Sequence, residues 1–385
     1  MLYKNTINII NISLTIYGFV SYIIHMDNFI TYKIDIKNLI CNIKNIKRKI
    51  GNGCDFCAVV KADCYGLGME NIIPYIDDYV DCYGVATIAE CKKLRMYSNK
   101  KILLLSEVFL DDLMYCSECG VSVSISSLNT LKMIEGHLKD SKINVHFKIN
   151  SGMNRYGIRS EIEFKKCLNF INRSNVLNLE GVFTHFASNE NNIEFLLNQR
   201  DFFEKMIANL QKNDIKIHSS SSSAAITLGL KYGNMVRIGF GMYGEFNNDI
   251  SLKKVLSISA KVLSITYVKK GEKVGYDQTY VAKENMKLAV VGMGYADGFS
   301  RRLSNNFSVL INGRHANVIG NVCMDCFMLD VTHIKNVYLG SEVVVLGKDG
   351  ANEICLNDYA EVLNTNPYEV LLSFRRNRSE VVVKN

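Results

Sequence analysis

Several signatures of common function classes are missing from this sequence. Its 45 Lys and Arg residues and 38 Asp and Glu residues are interspersed. No basic stripe with interleaved aromatics occurs, which argues against a nucleic-acid interface. No G-x-G-x-x-G follows the first strand-like run, which removes the phosphate fingerprint of a dinucleotide-binding domain. Three C-x-x-C pairs occur among the 12 cysteines: Cys54/Cys57, Cys116/Cys119 and Cys323/Cys326. A zinc ribbon needs two such knuckles about 15–20 residues apart, and that spacing is lacking. Cys57 lies in an apolar run, where a free thiol behaves as a small hydrophobe. Reduced thiols and no metal site are therefore expected. Only Pro74 and Pro367 supply proline in a chain rich in Asn, Ile and Lys, a compositional bias rather than a functional signal.

Charge is also missing from Asn5 to Met26, where no Asp, Glu, Lys or Arg occurs. Such a run is long enough to raise a membrane span. It is diluted by Asn8, Asn11, Ser13, Thr15 and Ser21, and no small-residue cleavage site follows. Two readings of residues 1–25 stay open: an upstream extension ahead of a working start at Met26, or a weak membrane anchor. The chain as a whole, 385 residues with 48% hydrophobic and 22% charged, is globular in composition and long enough for about two domains.

From Met26 onward, short β-branched runs alternate with longer segments of helical period. The runs are FCAVV (56–60), CYGVAT (82–87), KILLLS (101–106), VSVSI (121–125), NVHFKI (144–149), LEGVFTH (179–185), IKIH (215–218) and MVRIGF (235–240). Eight strands alternating with helices predict a (β/α)8 barrel over residues 26–252, with a doubly wound sheet as the alternative. Past Leu252 the strand-like runs are joined by short turns, and Asn312-Gly313 is a hairpin signal. Residues 253–385 are expected to form a mainly-β domain.

Barrel active sites lie at the C-terminal ends of the strands, so the residues there are the candidates. Lys61 follows the first run and Lys148 lies in the fifth, with SGMNRYG (151–157) just beyond. His185 closes the sixth, SSSSSAA (219–225) follows the seventh, and Arg237, Gly239 and Gly241 mark the eighth. An ammonium at the end of an apolar strand is either an ordinary surface charge or a partly desolvated nucleophile. His185 alone would read as a core histidine, and the serine run alone as a linker. Placed on one barrel mouth, with hydroxyls and glycine-exposed backbone at the usual phosphate loops, the set points to a Schiff-base lysine and pyridoxal 5'-phosphate.

The segments AVVKADCYGLG, KINSGMNRYGIR, THFASNE, VRIGFGMYG, GEKVGYDQTYVA, GYADGFSRR and GNVCMDCFMLDVT resemble the alanine racemase family, in order and at family-like spacing. The resemblance runs from about Met26 to the C-terminus. It implies a cytoplasmic, homodimeric enzyme that interconverts L- and D-alanine and so supplies D-alanine for peptidoglycan. Lys61 matches the lysine that carries the cofactor and acts as base on one face. Tyr276, from the partner subunit, matches the base on the other face; this assignment rests on the motif alone. His185 and Arg237 match the groups behind that tyrosine, with Arg237 bonded to the cofactor's pyridine nitrogen. Tyr65, Ser223, Gly239, Phe240 and Tyr368 match phosphate contacts. Arg155 matches the residue that binds the cofactor's phenolic oxygen and the substrate carboxylate. Met324 and Asp325 match residues at the substrate entrance, and Lys148 a lysine carbamylated in many members. The GYADG segment (294–298) is expected to be a structural turn. Three positions depart from the family pattern: Asn150 for Asp, Ser222 for Asn, and Asn321 for Arg. A serine or broad-specificity racemase, and a non-catalytic barrel binding the same cofactor, are the competing readings.

Overall fold

The computed structural model describes residues 28–138, 141–187, 192–210, 214–219, 233–245 and 251–385. The expectations for residues 1–25, for Ser222 and for Ser223 lie outside them. Among the described residues, no helix is long and apolar enough to cross a membrane.

Eight parallel strands form the first unit: β2 (Asp55–Val59), β3 (Cys82–Val85), β4 (Lys101–Leu104), β5 (Val121–Ile125), β6 (Ile143–Lys148), β7 (Leu177–Phe183), β8 (Lys216–His218) and β9 (Met235–Ile238). They are ordered β8-β7-β6-β5-β4-β3-β2-β9, with helices outside. These strands are buried on both faces, so they read as continuous apolar runs, as parallel strands do; every residue of β5 is buried. The last seam, between β8 and β9, is sewn by Asn234. Its backbone N–H donates to Ile217 O (3.0 Å), while its side chain accepts from Ile217 N (2.8 Å) and donates to Ile215 O (2.9 Å). The result is a nearly closed barrel.

The second unit is a nine-stranded, mostly antiparallel sheet built on the long strand β10 (Leu256–Val268). The expected hairpin is present: Asn312 and Gly313 take φ of 51° and 73° between strands Ser308–Ile311 and Arg314–Ile319. GYADG is a structural turn, in which the buried Asp297 carboxylate accepts from Gly294 N (2.9 Å) and pairs with Arg378 (2.9 Å). The residues just after Met26 do not open the barrel, as the 26–252 boundary implied. Strand β1 (Ile30–Asp35) lies instead in the nine-stranded sheet, antiparallel to β10 (Ile30 opposite Ala260) and parallel to Ser379–Lys384.

The loop after β2 is unusual. Ala62, Asp63, Cys64 and Tyr65 all have φ between 52° and 57°, a left-handed turn with no glycine in it. Each such residue costs roughly 1–2 kcal/mol, so the surroundings must hold the turn. Glu90 accepts from Ala62 N (2.7 Å) while also capping its own helix through Thr87. Asp63 accepts from Lys93 (2.7 Å) and from Arg376 (2.9 Å), and Arg376 also bonds Gly66 O and Glu70. Arg376 therefore clamps the second unit onto the turn that follows Lys61. Arg376→Ala removes three acceptors' partner and should lower stability by about 2 kcal/mol; an unchanged urea midpoint would show that the turn does not need this clamp.

Candidate active site

A cavity of about 600 Å³ opens at the C-terminal ends of the barrel strands. Lys61, Tyr65, Lys148, Arg155, His185, Arg237, Gly239, Phe240 and Tyr368 all line it. Nine sequence-derived candidates from five separate chain segments thus meet in one place. Tyr276, Met324 and Asp325 do not line it: Tyr276 is 68% exposed and Met324 53% exposed on the second unit, and Asp325 pairs with Arg378 (2.6 Å).

Arg237, on β9, is a buried charged group, 5% exposed. Its Nη2–H donates to Thr184 O (2.8 Å), to Ser219 O (3.3 Å) and to His185 Nδ1 (3.3 Å). Its Nη1–H donates to His218 Nδ1 (2.6 Å) and His218 O (3.1 Å). Burial brings the guanidinium down to about 10, still a cation at neutral pH. An arginine has no acceptor, so His185 must accept at Nδ1 and carry its proton on Nε2. Burial, then the nearby cations Arg237, Arg155, Lys148 and Lys61, push His185 down to about 3, and it is neutral.

Lys61 sits where β2 gives way to the left-handed turn. Burial and the charges of Arg155 and Arg237 lower its pKa, and Glu90 partly offsets them. Lys148, at the end of β6, is lowered further, to about 7, by burial and then by Arg155, Arg237 and Lys61, against Glu107. Its Nζ lies 3.4 Å from the Tyr156 ring centre and 5.6 Å from that of Phe183.

The other end of the cavity is aromatic and tight. Phe240 stacks on Tyr368 with ring centres 4.0 Å apart, and Tyr65 packs edge-on against Tyr243 at 5.7 Å. The Tyr65 hydroxyl approaches the Gly239–Phe240 backbone so closely that a Cβ at Gly239 would collide with it. Glycine is needed there for space.

Two family models match the chain: the alanine racemase N-terminal domain over residues 34–246 and the alanine racemase C-terminal domain over residues 255–382. The chain belongs to the alanine racemase family. Alanine racemase 2 of Caldanaerobacter subterraneus subsp. tengcongensis is 31% identical over 358 residues, covering 89% of this chain and 92% of that one. The crystal structure of alanine racemase from E. faecalis superposes with a TM-score of 0.87 at 28% identity, covering 93% and 99%. Alanine racemase from Bartonella henselae, whose structure has covalently bound pyridoxal phosphate, shares the fold with a TM-score of 0.81 at 24% identity, over 92% and 99%.

Two of the racemase-family departures have a visible role. Asn150 Oδ1 accepts from Gly152 N (3.2 Å) and Asn154 N (3.0 Å), which shapes the loop that carries Arg155. An aspartate would accept the same two bonds. Asn321 Nδ2 donates to Tyr276 O (2.9 Å) and to Asp277 (3.2 Å), so it fixes the turn on which Tyr276 stands. His146, His218 and Thr184 were missed by sequence reasoning. The available signal was the strand period, since His146 lies two residues before Lys148 and shares its inward face.

Lys148 gives this site a stability signature. Unfolded, it keeps its proton up to its ordinary value of 10.5; folded, it releases it near 7. Between those values the unfolded chain binds more protons, so stability should rise with pH. Cofactor-free protein in CO2-free buffer should therefore gain stability between about pH 7 and pH 10 relative to Lys148→Met. Parallel chemical-denaturation curves for the two proteins across that range would overturn the assignment.

Proposed function

We propose that this chain interconverts L-alanine and D-alanine with pyridoxal 5'-phosphate held in the cavity, using Lys61 and the Tyr276 of a second subunit as opposed bases. The observation that carries the reading is the meeting of a depressed lysine, a buried arginine and a glycine-lined aromatic end in one cavity of about 600 Å³. These residues fit the cofactor chemically. Lys61 would carry it, Tyr65, Gly239, Phe240 and Tyr368 would border its phosphate, and Arg237 would face its ring nitrogen. Ser223 joins the phosphate contacts in this reading. When bound, the group supplies the electron sink that makes a Cα proton removable.

The chain's own groups do the rest. With its pKa lowered, Lys61 gives up its proton more easily than an exposed lysine, and its free amine can take a proton on one face. Arg237 remains a donor and does not surrender its proton. His185, neutral with its proton on Nε2, can donate toward a tyrosine oxygen and favour the phenolate that a base requires. Arg155, at the mouth, supplies the charge for a substrate carboxylate. Tyr276 stands outside its own chain's cavity and 68% exposed, together with Met324 and Asp325. That placement supports a homodimer in which each second unit completes the partner's site. Lys148, near 7, is a free amine for a large fraction of the time and so can take up CO2 as a carbamate beside Arg155. The product would supply D-alanine for peptidoglycan from the cytoplasm.

Borohydride reduction of the purified yellow protein should fix a pyridoxyl group on the peptide containing Lys61; a label on any other lysine sinks the reading. Tyr276→Phe should lower L-to-D turnover by roughly two to four orders of magnitude while leaving cofactor affinity within about threefold. Equal losses of both would remove Tyr276 from the role of base. Comparing kcat/KM for L-alanine and L-serine decides between alanine and broad specificity, because a pocket discriminates one added hydroxyl by about a hundredfold at most.

A further inference from the structure

Beneath Arg237 the barrel is polar along its axis. His218 Nε2 lies 2.8 Å from His146 Nδ1, and His146 Nε2 lies 3.2 Å from the Glu180 carboxylate. Glu180 also accepts from Ser122 and from Lys101 (2.6 Å), near the N-terminal ends of β5 and β4. With the 2.6 Å contact between Arg237 and His218, a continuous column runs from the base of the barrel to its mouth. His146 is 3% exposed and His218 is 0% exposed.

The chemistry of the two ends fixes the direction of every bond between them. Arg237 can only donate, so His218 accepts at Nδ1 and its proton stands on Nε2. That proton is donated to His146 Nδ1, which must accept, so the proton of His146 stands on Nε2. Glu180, an acceptor when ionised, receives it. Two neutral imidazoles satisfy this in one tautomeric arrangement only. Burial drives both histidines toward the neutral form, and His146, Lys101 and Ser122 hold Glu180 well below the usual carboxylate range.

The fold builds this column deliberately. The register between β6 and β7 shifts at His146, so Val145 faces Leu179 while His146 faces Gly181, leaving Glu180 as the extra residue of a bulge. A bulge re-aims the side chain it carries, here toward the barrel interior. A Cβ at Gly181 would collide with the His146 ring, so glycine there leaves the space the imidazole occupies. Phe183 stacks flat on His218, with ring centres 4.8 Å apart and planes 4° apart.

We infer that Glu180 and His146 are positioning residues: through His218 they hold Arg237 as a fixed, oriented donor and carry a remote negative charge to it. Among the described residues the groups that accept from Arg237 are imidazoles and carbonyls, not carboxylates, so the polarised column takes the place of an adjacent counter-ion. The consequence for turnover rests on the proposed placement of Arg237 at the cofactor's ring nitrogen; the column itself does not.

Nitrogen-15 NMR of histidine-labelled protein reads the column directly, with or without cofactor. His146 and His218 should both be neutral, with the proton on Nε2, and should not titrate between about pH 6 and pH 9. An imidazolium in that range, or a proton on Nδ1 of either ring, overturns the inference. His146→Phe fills the space and breaks the column. It should lower kcat roughly ten- to hundredfold with KM within about threefold. Glu180→Gln keeps an acceptor but removes the charge, and should fall between His146→Phe and the unaltered enzyme. A folded His146→Phe enzyme with kcat within about twofold of the unaltered one also overturns it. Failure of the cofactor reading would show separately, as the absence of a reduced label on Lys61, and would leave the NMR result intact.

Discussion

A guanidinium buried in a barrel, with no carboxylate against it among the described residues, is the constraint around which this site is arranged. Removing a charge from water costs several kcal/mol unless hydrogen bonds replace the solvent. Arg237 receives that replacement from three backbone carbonyls and two imidazoles. Because it can only donate, each partner must accept, and the protonation of both histidines follows. The same positive charge depresses Lys61, Lys148 and His185. One buried cation thus sets the tautomers below it and adds to what burial does to the basicity of the groups above it.

The left-handed turn after Lys61 is the second expensive feature, and it is held from both units of the chain. Asp63 is the junction, bridged to Lys93 on a barrel helix and to Arg376 beyond the last helix of the second unit. The lysine that faces the cavity therefore stands on backbone that the second unit helps to hold. The aromatic end of the cavity shows the same sharing. Tyr368, on the helix Pro367–Ser373, stacks on Phe240 of the barrel.

The eight barrel strands were legible because parallel strands are buried on both faces and read as unbroken apolar runs. Each predicted run overlaps an observed strand. Strand β1 escaped that reading because it alternates: Ile30, Tyr32 and Ile34 are buried while the residues between them are less so. That is the pattern of a strand with one solvated face. The left-handed turn was invisible because Ala-Asp-Cys-Tyr contains none of the glycines that announce positive φ. The meeting of Lys61, His185, Arg237 and the residues of the aromatic end in one cavity was legible from strand ends and motifs together. His146, His218 and Glu180 were not, because their importance depends on which strands are neighbours across the barrel. The register of a sheet is written in pairings, not in any single segment. Asn150 and Asn321 looked like losses by comparison with the family pattern. Both make local backbone contacts that only three-dimensional placement reveals.

The position of β1 has a consequence for how the molecule forms. Ile30 lies opposite Ala260 in the sheet, and between these residues lies the entire barrel. The barrel is thus an insertion within the second unit's sheet rather than a bead preceding it. Closing so long a loop carries an entropic cost that must be met before the sheet's contacts reward it, which places this topology among the slow folders. Apart from the pairing of β9 with β2, the barrel's contacts run between strands consecutive in the chain and can form first. Assembly then has a natural order, in which a completed barrel brings residues 30 and 260 within reach and the surrounding sheet closes last.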